Sequence, residues 1–507
     1  MSNSRKALGV LSWLVLAACG PEANLPSVGS AEALSTSPQL IRAEHPIRDQ
    51  YVVVLAQPPE GVTTQSVSSM ATTLAARHGG QVLQVYERAL RGFAVRMTEE
   101  QALALARNPA VASVEEDGLV QVDFVQSPPG NVGKDRIDQR NLPLDNQYTY
   151  FGTGVGTHAY VISTGIRTTH TEFGGRATGD FTVISDGNGA SDCNGVGTHW
   201  AAVIGGNTYG VARSTRLHSV RVLNCTGTGT TSGVITGVDW VTANHIKPAV
   251  ALLGLSGPAS AALDAAVNNS IAAGVTYVAS AGSSGGDSCT QSPARIPAVL
   301  TVGSSSATDT VSSFSGTGSC VDLFAPGANI ISAWHTNDTA VSNISGSVGA
   351  AFGAGAAALW LEVVPSATPA AVNSAIISNA TTGVLTPPPT PPTPNRLLYT
   401  GFIGSRLRAG TPVSDISNPQ ADVRYFRLEV PVGTTQLTFS TSGGTGDVDL
   451  YVKAGTLPST STYDCAPFIT GNAETCILNA PTPGTWYVML HGFAPFSAVS
   501  LTSTVTQ

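Results

Sequence analysis

Val348-Gly-Ala-Ala-Phe-Gly-Ala-Gly-Ala-Ala-Ala-Leu-Trp-Leu361 has no polar face, and its reading decides the fold. A helix that is apolar all round belongs in a core or in a membrane. Six of these fourteen residues are Ala, four more are Gly or Val, and Ser and Asn lie just upstream, a texture that favours the core. Short apolar strands alternate with Ala-rich helical stretches and Gly-rich turns on its N-terminal side: Ala159 to Ile162, Leu217 to Leu223, Val250 to Leu255, Val275 to Ala279 and Val299 to Val302. That alternation predicts an α/β domain over residues 130–400, a parallel sheet with helices on both faces.

On the C-terminal side, Thr386 to Pro394 reads TPPPTPPTP, which can be neither helix nor sheet and predicts a stiff surface loop or linker. Residues 405–507 then turn all-β. Tyr425 to Val430, Gln436 to Ser440, Asp449 to Val452, Thr485 to Leu490 and Val499 to Val505 are spaced by Gly, Pro and Asn turns, as in a small β-sandwich. Residues 46–123 give the order βαββαβ, with Thr98 and Gln101 as a capping box for the second helix. This is a ferredoxin-like α+β pattern, and by itself it carries no activity. Residues 20–45, rich in Ser, Pro and Ala, read as a flexible tether.

The length of 507 residues fits about three domains. Only 11% of residues are charged, which excludes a coiled coil and charge-driven disorder. The net charge is -8, and Lys and Arg cluster nowhere beyond the extreme N-terminus, so nucleic acid is excluded as a partner. Arg5 and Lys6 precede an uncharged apolar run, Ala7 to Ala18, the pattern of a signal peptide and shorter than the ~20 residues that span a bilayer. The run ends Leu16-Ala17-Ala18-Cys19, which resembles a bacterial lipobox and implies export with a lipid on Cys19, against the alternative of an ordinary signal peptide and a secreted chain. Six cysteines then remain, Cys193, Cys225, Cys289, Cys320, Cys465 and Cys476. In an oxidising compartment they read as disulfides, with fifteen connectivities open. No Cys-x-x-Cys occurs and no His stands at ligand spacing from them, so a zinc site on these cysteines is not expected.

Tyr160-Val-Ile-Ser-Thr-Gly-Ile166 with Thr169-His-Thr-Glu-Phe173, then Asp192-Cys-Asn-Gly-Val-Gly-Thr-His199, and Ile344-Ser-Gly-Ser-Val-Gly-Ala350 resemble the three signature blocks of subtilisin-like serine peptidases, the proteinase K and aqualysin group in particular. Residues 46–123 resemble the inhibitor-type propeptide of that family. Residues 405–507, with Gly446-Asp-Val-Asp-Leu-Tyr451 and Gly484-Thr-Trp-Tyr-Val488, resemble the bacterial pre-peptidase C-terminal domain. The resemblance implies the disulfides Cys193 to Cys225 and Cys289 to Cys320, leaving Cys465 to Cys476 for the sandwich.

In that family an Asp orients a His, the His takes a proton from a Ser, and an amide donor holds the oxyanion. The aligned positions here are Ser163, Val196 and Val348, with Ser283 at the oxyanion position. Ser347 stands one position early, and a one-residue shift at a helix start rotates a side chain by about 100°, away from the site. The resemblance gives His199 a structural role, and His170, His218 and His245 lie outside the blocks. Loss of a triad costs ~10⁶ in rate. The expectation is therefore a catalytically inactive peptidase homologue that binds peptide or protein and keeps its propeptide unless another protease cuts near Phe124 to Asn131. The rival expectation is an active endopeptidase using displaced residues.

The strand Leu252-Leu-Gly-Leu-Ser-Gly257 differs from the family's substrate-pairing segment, and Trp200 and Phe352 bring bulk. Leu252, Gly254, Leu255, Trp200 and Phe352 are thus expected to form an altered cleft, in which Trp200, Leu252, Val196, Val348 and Phe352 make an apolar cluster. Gly282-Ser-Ser-Gly-Gly286 matches Gly-x-Ser-x-Gly, a cheap match in a chain this rich in Gly and Ser. No cofactor or metal is expected, although Asp447 and Asp449 could hold calcium if they are more than a solvated strand edge.

Overall fold

The computed structural model describes residues 40–41, 46–56, 66–87, 90–118, 125–387, 389–390 and 392–507. The chain divides into two compact units, residues 1–122 and 123–507. Cys19 and the tether lie outside the described residues except for Leu40 and Ile41, which are not free linker: Leu40 is buried in the core of the first unit and Ile41 bridges to Glu115.

In the first unit the strands Pro46–Leu55, Gln81–Tyr86, Gly92–Arg96 and Val111–Gly118 pair antiparallel, with Pro46–Leu55 flanked by Gly92–Arg96 and Val111–Gly118. Helices α1 (Val67–Arg77) and α2 (Glu99–Ala106) complete the βαββαβ order. The capping box forms as its sequence dictates: Thr98 Oγ1 accepts from Gln101 N, and Gln101 Oε1 accepts from Thr98 N at 2.8 Å.

The second unit is built on a nine-stranded sheet among the described residues. Across it the order is Thr381–Thr382, Arg396–Leu397, Leu323–Pro326, Leu300–Ser305, Val275–Ser280, Ala249–Leu253, His158–Ser163, Arg216–Arg221 and Ala177–Thr182. All neighbours are parallel except the first pair. α3 (Val132–Ile137), α4 (Val196–Gly205), α7 (Val348–Val363) and α8 (Pro369–Asn379) pack with one core, and α5 (Thr231–Asn244) and α6 (Ala261–Ala272) with the other. Every residue of α7 is buried, as its apolar circumference requires. Gly349 lets this helix approach the sheet, because a Cβ there would sit 2.6 Å from the Gly303 carbonyl oxygen.

The sandwich consists of two four-stranded sheets around its own core. It shares aromatic contacts with the α/β domain: Trp360 meets Phe402 and Tyr425 at 5.3 and 5.7 Å, and Phe151 meets Phe426 at 6.2 Å. Arg140 pairs with Asp422 at 2.8 Å. The proline-rich stretch is a loop inside the α/β domain. Beyond it the chain re-enters the main sheet at Arg396–Leu397, and Gly318 N donates to Thr393 Oγ1 at 2.7 Å. The disulfides are Cys193–Cys225, Cys289–Cys320 and Cys465–Cys476, the pairing that the resemblance implied.

Candidate active site

Parallel α/β sheets place their ligand sites at the carboxyl ends of the strands. Here Ser163 ends one strand, Gly254 follows the next, Ser280 ends a third, and α4 and α7 begin beside them. Between them lies a groove of ≈ 500 Å³ whose walls include Thr164, Val196, Trp200, Gly254, Leu255, Ser283 and Ser347. None of the described residues lining it carries an ionisable side chain. It therefore suits an uncharged, extended ligand.

The first turn of α4 is anchored by Asp192, a residue to which the sequence reading gave no role. Its buried carboxylate accepts from Thr164 Oγ1, from the amides of Asn194, Gly195 and Thr198, and from Thr198 Oγ1, all at 2.6–3.0 Å. An anion at a helix N-terminus also meets the positive end of the helix dipole. The capping rule does not point to it, because the N-cap of α4 is Gly195 and Asp192 lies three residues before that. Gly197 is required at this corner, since a Cβ would fall 2.0 Å from the Gly165 carbonyl oxygen.

The expected site residues fall into two layers. Val196 is half-buried and lines the groove with Trp200, Gly254, Leu255 and Ser283. Val348 and Ser163 are fully buried, and the Ser163 hydroxyl has no hydrogen-bond partner. Leu252 and Phe352 are not cleft residues. Both are buried in the core beneath, where Phe352 fills the space that a Cβ on Gly133 would need. Trp200 lies flat on Gly254, its ring 2.2 Å from a Cβ position there, so glycine at 254 is what admits the indole. Trp200, Leu252, Val348 and Phe352 belong to one core cluster, with Val196 packed against it.

Ser347 departs from expectation. It is the N-cap of α7 with φ -74° and ψ 16°, outside the regular helix, so the 100° rotation per residue does not apply to it. Its half-buried side chain lines the groove, and its Oγ accepts a hydrogen bond from Ser280 Oγ at 2.8 Å. Ser280 Oγ in turn accepts from Gly282 N at 3.0 Å.

His199, His170 and His245 are engaged elsewhere. His199 is fully buried, and its Nε2 donates to the Ile330 carbonyl at 3.0 Å. Burial lowers its pKa to about 4. His170 is buried, with its two ring nitrogens facing the Ala340 carbonyl and the Glu172 amide. His245 faces the carbonyls of Val241 and Thr242 at the end of α5.

Two places concern metal. Asp449 is not a solvated edge: it is buried, with Tyr451 OH and His491 Nδ1 at 3.3 and 3.4 Å. Asp135 and Asp138 are a better fit to a hard cation, because each has a buried carboxylate oxygen with no partner. Burial first, then the neighbouring carboxylates, raise their pKa values to about 6 and about 8, against backbone hydrogen bonds that lower them.

Residues 153–400 match the Subtilase family, residues 422–492 the bacterial pre-peptidase C-terminal domain, and residues 50–123 the peptidase inhibitor I9 family. An alkaline serine exoprotease A of Vibrio alginolyticus is 42% identical over 90% of this chain and 89% of its own length. The chain is a subtilase. An extracellular serine proteinase of Thermus sp. (strain Rt41A) is 46% identical over 78% of this chain and 98% of its own. A solved cold adapted subtilisin-like serine proteinase is 48% identical, with a TM-score of 0.51 over 53% of this chain and 97% of that one.

These relatives overturn the expectation of an inactive, non-enzymatic homologue. Chains that are 42 and 46% identical across most of this subtilase are named as a serine exoprotease and a serine proteinase. The alternative, a peptidase with displaced catalytic residues, agrees better with them.

Proposed function

We propose that this subtilase is an exported serine endopeptidase that binds an extended peptide in the groove and attacks it with Ser347 Oγ. The observation that carries the reading is the Ser347 hydroxyl on the groove wall, held by Ser280. Attack forms an ester between Oγ and the substrate carbonyl carbon and breaks the C–N bond, while the Oγ proton passes to the departing amine. Water then hydrolyses the ester. With Ser163, Val196 and Val348 at the positions aligned with the family triad, the proton travels through the Ser280 hydroxyl or solvent. The missing general base implies turnover ~10² to 10⁴ below that of a peptidase with a histidine there. Ser283, exposed and also lining the groove, offers a hydroxyl to the developing oxyanion.

Incubation with a fluorophosphonate probe and with casein tests this reading. Labelling that maps to Ser347, with casein cleavage lost in Ser347→Ala, supports it. No labelling, and casein cleavage equal to that of Ser347→Ala, refutes it.

Export agrees with the Ala7 to Ala18 run and with the extracellular relative from Thermus. Among the described residues no helix is long and apolar enough to cross a membrane. A lipid on Cys19 would hold the chain at the cell envelope; mass spectrometry of the mature N-terminus reads it directly. An active chain also cuts its own propeptide, upstream of the strand Val125–Gln126. Calcium, if bound, would be held by Asp135 and Asp138 and would neutralise their buried charge. It should then raise the melting temperature relative to chelator, and Asp138→Asn should remove the difference.

A further inference from the structure

The dipeptide Asn-Gly occurs twice in the chain, at Asn188-Gly189 and at Asn194-Gly195, with Asp192 between the two pairs. In this dipeptide an asparagine side chain is most open to attack by its own main chain, because glycine sets no Cβ beside the attacking nitrogen. The attack needs a free amide nitrogen on the glycine, a side-chain amide able to turn toward it, and water. The fold meets these conditions at one pair and denies them at the other.

At the second pair every reacting atom is engaged. The buried Gly195 donates its N–H to Asp192 Oδ1 at 2.9 Å. Asn194 Nδ2 donates to the Cys225 carbonyl at 3.0 Å and Asn194 Oδ1 accepts from Val196 N at 3.3 Å, so the side chain is fastened at both atoms. At the first pair they are free. Asn188 and Gly189 are both exposed, and among the described residues Gly189 N has no hydrogen-bond acceptor. The Asn188 side chain makes one long hydrogen bond, from Nδ2 to the Cys225 sulfur at 3.8 Å, and sulfur is a weak acceptor. The surrounding turn is held by other atoms: Asn188 N donates to Asp186 Oδ1 at 3.1 Å, Ser191 N to the Asn188 carbonyl at 3.1 Å, and Arg221 to the Gly189 carbonyl at 3.0 Å.

We propose that Asn188 is a site of spontaneous deamidation in the folded chain and that Asn194 is protected from it. Hydroxide takes the proton of Gly189 N, and the nitrogen attacks Asn188 Cγ. An N–Cγ bond forms, the Cγ–Nδ2 bond breaks, and ammonia leaves after taking a proton from water. A second water opens the cyclic imide at either carbonyl, giving aspartate or isoaspartate at 188, so that one water is consumed and one ammonia released overall. Either product adds a negative charge two residues from Asp186, whose carboxylate Arg221 holds at 2.8 Å. The isoaspartyl form also inserts a main-chain carbon between Asp186 and Gly189, the two residues that the buried Arg221 clasps. The change reaches the border of the groove, because Cys193 just beyond this loop is bonded to Cys225, beside the groove residues Gly227 and Thr228.

The test incubates the full chain at mildly alkaline pH, folded and in urea, and follows both pairs by peptide mass spectrometry through the mass gain of amide-to-acid exchange. In the folded chain Asn188 should convert ~10- to 100-fold faster than Asn194, the factor set by breaking a hydrogen bond to a charged acceptor. In urea the two rates should converge. Asn188→Gln should abolish the ammonia released early from the folded protein. Asp192→Ala should speed conversion of Asn194 and leave Asn188 unchanged, a selectivity that global unfolding would not give. Equal rates at the two pairs in the folded chain would overturn the proposal. So would an intact Asn188 in the folded chain over a time in which both pairs convert in urea.

Discussion

The two ends of the central sheet use polar chemistry in opposite ways. At the carboxyl ends, the groove is lined by hydroxyls, alkyl groups and an indole, and the titratable groups nearby, Asp192 and His199, are buried in structural work. At the amino ends, an Asp and two His form an open hydrogen-bonded series. The difference teaches that the framework of the sheet and the side chains lining the groove are held by separate contacts. Asp192 and Gly197 hold α4 in place through contacts that do not depend on what occupies position 196.

The largest expected effect breaks this comparison by returning titratable groups to the groove. Ser163→Asp, Val196→His and Val348→Ser together should raise casein hydrolysis by ~10³, within the ~10²- to 10⁴-fold that a positioned general base contributes. The single Val196→His should do little, because members of such a unit act together. Triple-variant turnover equal to wild type, with the fold intact by circular dichroism, would show that these three positions do not converge.

Next in size is the anchor. Asp192→Ala leaves three amides, those of Gly195 and Thr198 buried, and two hydroxyls without their acceptor, so stability should fall by roughly 3–5 kcal/mol. Denaturant unfolding measures it. A change below about 1 kcal/mol would mean that α4 does not rest on this carboxylate.

How much of this was legible in the sequence depends on range. The apolar Val348 run, the strand alternation and the turn spacing specify layers, because burial and backbone periodicity are local properties of the chain. Thr98 and Gln101 likewise form their cap three residues apart. The groove was only partly legible. Of the expected cleft residues Trp200, Gly254 and Leu255 do line it, but depth is set by packing: Phe352 follows Val348 by one helical turn and lies in the core against Gly133. Ser347 was misjudged because a helix start was treated as regular helix, whereas an N-cap has its own backbone angles. The His158–His218 contact depends on strand order, which no single segment encodes.

A third prediction concerns pH. His199 has a folded pKa of about 4 against an ordinary 6.5, so between those values the unfolded chain binds more protons than the folded one. The contribution of His199 to stability therefore rises with pH through that window and is lost as pH falls from about 6.5 to about 4, by about 3 kcal/mol, whereas Asp135 and Asp138, whose pKa values are raised, act with the opposite sign. In His199→Gln that part of the acid limb should flatten, as denaturant unfolding at a series of pH values would read.

The smallest effect sharpens the comparison from the amino side. Tyr160 OH accepts from the Ile246 amide at 2.8 Å, and its ring stacks on His218. Tyr160→Phe keeps the ring and removes the acceptor, so it should cost about 1 kcal/mol in unfolding experiments. Casein turnover should not move, since sites separated by more than ~10 Å with no shared partner behave additively. A fall in turnover beyond twofold would show that the strand His158–Ser163 transmits strain from one end to the other, and the two ends would then have to be treated as one coupled device.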